Sequence, residues 1–349
     1  MSGIFDYIMK NMDVLVQEIL EKQFSINPSL EKKYTSYQIN ICKRDIKHTL
    51  THLAETIKFS SIKLFIDYIS WAKILLDNLN ISSQELIENL ECVTFILKKH
   101  FSKDEFKIIE VFLKSALEEV KKEKDLKNSD ITLTNEAQKY LNFLLDGNKG
   151  EASNLIMKYI EKGKDIKEIY LEIFQATQIE VGKMWQENKI NVAQEHYVTA
   201  STQMIMSQLY NYVLNTIKNN YTIIAASVSH ELHEIGIRIV SDFLELEGFN
   251  VYYLGANMPL KDIMKSIKQK KANILMLSAT MTEHIEEASK IINEIKINES
   301  TKHIKIMVGG YPFNVDQNLW KTLKADGYSK DALNTVEVVK KLLNIWKEF

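Results

Sequence analysis

At 349 residues the chain has room for two or three domains and a sizeable core. With 45% hydrophobic and 26% charged residues but only 11 Gly and 3 Pro, it is neither disordered, nor collagen-like, nor a turn-rich all-β protein. Lys and Arg number 44 against 46 Asp and Glu, a net charge of −2 that removes the general electrostatic reason for nucleic-acid binding.

Cys42 and Cys92 are too few for a disulfide framework. The start MSGIFDYIMKNMD lacks the apolar core of a signal peptide, and runs such as Ile274–Leu277 fall far short of the roughly 20 residues that span a bilayer. A cytoplasmic protein without a membrane segment is expected.

Residues 1–125 carry apolar residues at helical spacing with almost no Gly or Pro, which predicts a helical bundle. The stretch KKEKDLKNSDITLT loses that periodicity, so 126–134 is expected as a linker closing on a helix cap at Thr134. Helical texture resumes over 135–218, with breaks at Asp146–Gly150, Gly163 and Glu187–Asn191 that leave room for four helices. From 219 to 349 the texture changes to short apolar runs, each followed by a helical stretch: TIIAASV, NVYYLG, NILMLS, HIKIMVGG and ADGYS. Buried strands joined by helical crossovers predict a five-stranded parallel sheet of flavodoxin-like, Rossmann-like order, which binds ligands beyond the carboxyl ends of its strands. The expected whole is a multidomain α and α/β protein.

The first strand runs into Ser229-His230-Glu231-Leu232-His233-Glu234-Ile235-Gly236, placing imidazole, carboxylate and glycine at a ligand-binding strand end. A histidine there suits a metal, with Glu231 taking a hydrogen bond from its second ring nitrogen, and Gly236 admits close approach of something bulky. Alone, the same residues read more readily as an exposed loop histidine beside an incidental acid. The third strand ends in Leu277-Ser278-Ala279-Thr280 and the fourth in Val308-Gly309-Gly310, hydroxyls and small residues that suit a long polar tail threaded between strands. Upstream, Trp185 precedes Val192 and the Glu195-His196 pair. In isolation these are a core Trp and a helix-surface pair.

Taken together, Glu231-x-His233-x-x-Gly236, Ser278-x-Thr280 and Gly309-Gly310 resemble the signature of the cobalamin-binding domain family, usually DxHxxG, SxL or SxT, and GG. The resemblance implies that His233 is the lower cobalt ligand in place of the cofactor's own base and that Glu231 is its hydrogen-bond partner. Ser278, Thr280, Gly309 and Gly310 would then line the nucleotide-tail channel. Glu231 stands where Asp is usual, and its extra methylene alters the reach of that hydrogen bond. The segment around Trp185, Val192, Glu195 and His196 resembles the four-helix cap of adenosylcobalamin-dependent photoreceptors. That resemblance implies upper-face roles for these four, with His196 replacing the alkyl ligand after photolysis. It covers roughly residues 135–349.

Those photoreceptors usually carry a winged DNA-binding domain, and residues 1–125 show none. They offer instead His48 and His52, four apart on one helical face, which could hold a metal or a second tetrapyrrole. Phe65, Tyr68 and Trp71 at three-residue spacing read as a core stripe. A helical sensor, dimerisation or partner-docking domain is expected. The leading expectation is a non-enzymatic cobalamin-binding signalling protein that uses adenosylcobalamin photolysis to switch conformation. Its output would be a protein partner or self-association, without nucleic acid or membrane. The alternatives are a corrinoid methyl carrier for methyltransferases, for which methylcobalamin is the relevant form, and a light-independent cobalamin sensor.

Overall fold

The computed structural model describes residues 1–28, 34–122, 132–214 and 216–345, so the expected linker at 126–134 lies outside the described residues except for 132–134. The chain divides into two compact units. One comprises Met1–Lys124 with Ala279–Lys290 and Tyr311–Lys324; the other comprises Asp125–Ser278, Ile291–Gly310 and Ala325–Phe349.

The first unit is built on helices α1 (Ser2–Lys10), α2 (Met12–Ile26), α3 (Ser36–Lys58), α4 (Ile62–Asn78), α5 (Ser83–His100) and α6 (Lys103–Lys121). Their apolar faces bury Leu15, Ile19, Leu50, Leu53, Phe65, Leu90 and Ile109 in one core. Serine or threonine caps open the longer helices: Thr35 and Ser102 each form a reciprocal capping box, with Gln38 and Glu105. Of the expected aromatic stripe, Phe65 is fully buried, Tyr68 is packed at the core's edge and Trp71 is 37% exposed. His52 is buried, its ring stacked on Tyr68 at 3.9 Å between centroids and its Nδ1 2.9 Å from the His48 carbonyl. Among the described residues no group of three or more His, Cys, Asp or Glu is placed to hold a metal ion.

The two outlying segments of this unit follow the third and fourth strands of the sheet and are held by polar pairs. Lys58 Nζ lies 2.6 Å from Glu286 Oε2, His48 pairs with Glu283, Ser61 donates to Asp316 at 2.6 Å and Tyr311 donates to Asp67 at 2.8 Å. Glu55 is buried among them, and burial, reinforced by the nearby Glu286 and Glu283 charges, pushes its carboxyl up to about 9.

The second unit opens with a helical module: α7 (Asn135–Leu145), α8 (Lys149–Glu161), α9 and α10 (Val192–Gln208). The Thr134 hydroxyl accepts from the Ala137 amide at 3.1 Å, the cap expected from sequence. Helix α9 runs Ile166–Glu168, widens to a π-helix over Ile169–Gln175 and resumes α geometry over Ala176–Gln186. That widened turn buries Tyr170 and Phe174 together. Strands β1 (Thr222–Ser227), β2 (Asn250–Tyr253), β3 (Ile274–Ser278), β4 (Lys305–Gly309) and β5 (Gly327–Tyr328) form one parallel sheet ordered β2-β1-β3-β4-β5. Its crossovers include α11 (Ile235–Leu246), α12 (Leu260–Lys270) and α13 (Ile285–Ile297), and α14 (Ala332–Leu342) closes the fold.

β3 is buried along its whole length, as a central strand covered on both faces must be. The flavodoxin-like order is therefore present as expected, with its switch point between β1 and β3. The helical module and α11 share a core, in which Phe243 and Ile239 join Tyr140, Phe174 and Val198. The Tyr170 hydroxyl donates to Asp242 of α11 at 2.8 Å inside it.

Because Glu55 ionises at about 9 when folded but from an ordinary 4.5 when unfolded, the unfolded chain loses this proton first. Its contribution to stability is fully present below pH ~4.5 and declines as pH rises toward ~9. Glu55→Gln is expected to melt at a higher temperature than the parent at pH 8 and at nearly the same temperature at pH 5, measured by calorimetry. An equal difference at both pH values would contradict this assignment.

Candidate functional site

The chain leaves β1 in a tight, heavily bonded loop at the carboxyl edge of the sheet. Val228 donates its amide to the Ser278 carbonyl at 3.1 Å, Ser229 Oγ donates to the Met258 carbonyl at 3.1 Å, and the His230 amide donates to Asn257 Oδ1 at 2.7 Å. His230, at φ 68, spends its backbone on this turn. That turn swings Glu231 inward to complete burial and His233 outward, its side chain 60% exposed.

The Glu231 carboxylate then does two things with one oxygen. Oε1 accepts the His233 amide at 2.9 Å and lies 2.6 Å from His233 Nδ1, so Nδ1–H donates to it and Nε2 is left for a ligand on the outer side. The longer Glu arm therefore reaches the imidazole that Asp usually serves. Ser227 Oγ, at the end of β1, donates to the His233 carbonyl at 3.1 Å and fixes the backbone beneath the ring. The Glu231 hydrogen bond holds the His233 pKa above its ordinary value against the opposing pull of burial, and the charge of Glu195 acts in the same direction. Glu195 lies on α10, so the helical module and the β1 loop border the same space.

On the module side, Trp185 is half-buried against the core at the end of α9, while Val192, in the first turn of α10, is 50% exposed. Glu195 Oε2 and His196 Nδ1 are in close hydrogen-bond contact, with the His196 side chain 74% exposed. Thr199 donates to Glu195 Oε1 at 3.0 Å, holding the carboxylate in place.

On the sheet side, Ser227, Ser278 and Gly309 stand side by side in register across β1, β3 and β4. A Cβ at Gly309 would meet nothing closer than the Ser329 carbonyl at 3.8 Å, and a Cβ at Gly236 would meet nothing within 4 Å. Gly310 has φ 113, a conformation that side chains rarely adopt. At Gly309, Gly310 and Gly236 the backbone thus carries no side chain, and the neighbouring strand ends carry only the small hydroxyls of Ser227 and Ser278. Thr280 lies two residues past Ser278 in the segment Ala279–Lys290 of the first unit.

These features fit a corrinoid: an oriented imidazole beneath, open space at small residues beside it, and a helical module across from it. The B12 binding domain family matches residues 221–337, and a second B12 binding domain family matches residues 136–210. The chain carries a cobalamin-binding module over these two stretches. It is 32% identical over 121 residues to dimethylamine corrinoid protein 1 of Methanosarcina mazei, covering 35% of this chain and 55% of that protein. It is 28% identical over 202 residues to trimethylamine corrinoid protein 1 of the same organism, covering 55% of this chain and 89% of that protein. In fold it resembles the monomethylamine corrinoid protein of Methanosarcina barkeri, with TM-score 0.53 at 19% identity, covering 58% of this chain and 96% of that one. The chain thus spans about half the length of the first of these curated relatives. These relatives are corrinoid proteins of methylamine systems rather than photoreceptors, which corrects the expected closer likeness to light sensors.

Sequence reasoning had no means of finding Ser227, which reveals itself only through its bond to the His233 carbonyl. Glu231→Gln replaces the charge-assisted acceptor of Nδ1–H by a neutral one and is expected to weaken cobalamin affinity by about 10- to 100-fold, as loss of a metal ligand's hydrogen-bond partner commonly does. Isothermal titration with aquocobalamin checks it, and undiminished affinity would remove Glu231 from the site.

Proposed function

We propose that the protein is a corrinoid-dependent methyl carrier: it holds cobalamin between the helical module and the sheet edge, with His233 Nε2 as the lower cobalt ligand. The observation that carries this reading is the fully buried Glu231 carboxylate bonded to His233 Nδ1. It fixes the ring's tautomer and direction and raises the basicity of Nε2. When bound, the corrinoid supplies a cobalt centre able to take up and give away a methyl group. This chain's residues would bind and orient it: Ser278, Gly309 and Gly310 at the strand ends would border the nucleotide tail. Gly236 gives clearance beside the ring, and Trp185, Val192, Glu195 and His196 stand on the opposite side.

No acid-base pair for turnover is required of such a carrier, since a separate methyltransferase performs each transfer. The names of the relatives point to a methylated amine as the source of the methyl group. Residues 1–122 are then available for partner recognition.

A light-responsive reading rests on one specific observation, the exposed His196 imidazole paired with Glu195 on α10. Under it, His196 would bind cobalt once light has removed an adenosyl group, and the product would resist re-alkylation. Cobalamin occupancy alone, sensed in darkness, is the remaining outcome.

Two experiments separate these readings. His233→Ala loaded with cobalamin is expected to lose the absorption features of an imidazole lower ligand that the parent shows. The methylcobalamin-loaded parent is expected to transfer its methyl group to a thiol, leaving a methyl thioether and demethylated corrinoid, when a corrinoid:thiol methyltransferase is added, at a rate unaffected by His196→Ala. Failure of transfer, together with a His196-dependent spectral change on illuminating the adenosylcobalamin form, would select the light-responsive reading.

A further inference from the structure

Glu234 follows His233 directly and sits at the N-cap of α11, yet its side chain caps nothing. It bridges instead. Oε1 accepts from Gln203 Nε2 of α10 at 2.8 Å, and Oε2 accepts from the Tyr253 hydroxyl at the end of β2 at 2.6 Å. One carboxylate therefore joins the helical module, the loop that presents His233 and the neighbouring strand.

The backbone is shaped to receive it. Gly255, two residues past Tyr253, has φ +86, and a Cβ built there would lie 3.3 Å from Glu234 Oε2. The same glycine's carbonyl accepts the Ser227 amide at 3.0 Å, so it cannot retreat without disturbing the end of β1. A side chain at 255 would thus strain the backbone and crowd the carboxylate at once.

We propose that Glu234 is a positioning residue that ties the covering helix α10 to the His233 loop, setting both sides of the corrinoid site from one carboxylate. The inference rests on the cobalamin reading and adds a residue role to it. Any displacement of α10 away from the His233 loop breaks the Gln203–Glu234 bond. The Tyr253–Glu234 bond stays within the sheet edge and keeps the His233 loop in place.

The test uses the full-length protein, first without corrinoid and then loaded with aquocobalamin. Gln203→Leu cuts the tether on the helical side and leaves the β1 loop untouched. It is expected to raise amide hydrogen exchange along Val192–Gln208 by about 10-fold in both forms, the change that loss of one hydrogen bond to a charged group produces. It should also speed the replacement of the upper water of bound aquocobalamin by added imidazole, while the His233-dependent spectrum is retained. Glu234→Ala is expected to do both and, in addition, to reduce the His233-dependent part of the spectrum.

Ile156→Val, in the core of the same helical module, serves as the control for general loosening. Its exchange and imidazole uptake are expected to match the parent. Parent-like exchange and uptake in both Gln203→Leu and Glu234→Ala would overturn the proposal, as would an equal acceleration in Ile156→Val. If the parent bound no cobalamin, the cobalamin reading would fail, whereas the exchange comparison without corrinoid would still decide the tether.

Discussion

A carboxylate removed from water next to an imidazole left partly in it is the constraint on which the site depends. Glu231 has no exposure at all, and His233 alone gives it two donors, the backbone amide and the Nδ1–H. A buried charge without such partners would cost several kcal/mol. The turn through His230 thus brings both His233 donors onto Glu231, and with Nδ1 engaged, Nε2 is the ring nitrogen left facing outward. Ser227 and Asn257 brace that turn from the strand ends on either side.

The rest of the second unit supplies what this loop needs. Five parallel strands bring the ends of β1, β3 and β4 level with one another, so Ser227, Ser278 and Gly309 form one row. The helical module is fastened by a core shared with α11 and by buried polar bonds such as Tyr170 to Asp242. Rigid support below and a separately anchored helical layer opposite suit a protein whose cofactor does the chemistry while the chain governs orientation and access.

Much of this was legible in the sequence because the α/β half is locally consistent. Apolar runs of strand length alternate with amphipathic helices, and every strand falls where its run predicts, from TIIAASV to ADGYS. The candidate residues Glu231, His233 and Gly236 stand out by motif spacing, separated by a few positions on one loop. What stayed hidden depends on pairings distant in sequence. Glu234 looks like an ordinary helix-start acid until Gln203 and Tyr253 are seen on its two oxygens. Likewise, nothing in the segments after β3 and β4 announces that Ala279–Lys290 and Tyr311–Lys324 group with the N-terminal helices. The polar pairs that hold them come from His48, Lys58, Ser61 and Asp67, single residues without a pattern. The His48 and His52 spacing is similarly ambiguous in sequence, and what it does not announce is that the His52 ring stacks on Tyr68.

The central claim is that His233 Nε2 binds cobalt, and electron paramagnetic resonance of the protein loaded with cobalamin and reduced to its paramagnetic cobalt(II) form tests it most directly. Cobalamin's own base is also a nitrogen donor, so the decisive comparison uses protein made with 15N-labelled histidine. The account predicts that the axial nitrogen splitting changes from the three-line pattern of 14N to the two-line pattern of 15N, and that His233→Ala abolishes this dependence on the protein's label. A splitting that stays at three lines in the labelled protein would show that the cofactor's own base, and not this histidine, lies beneath the cobalt.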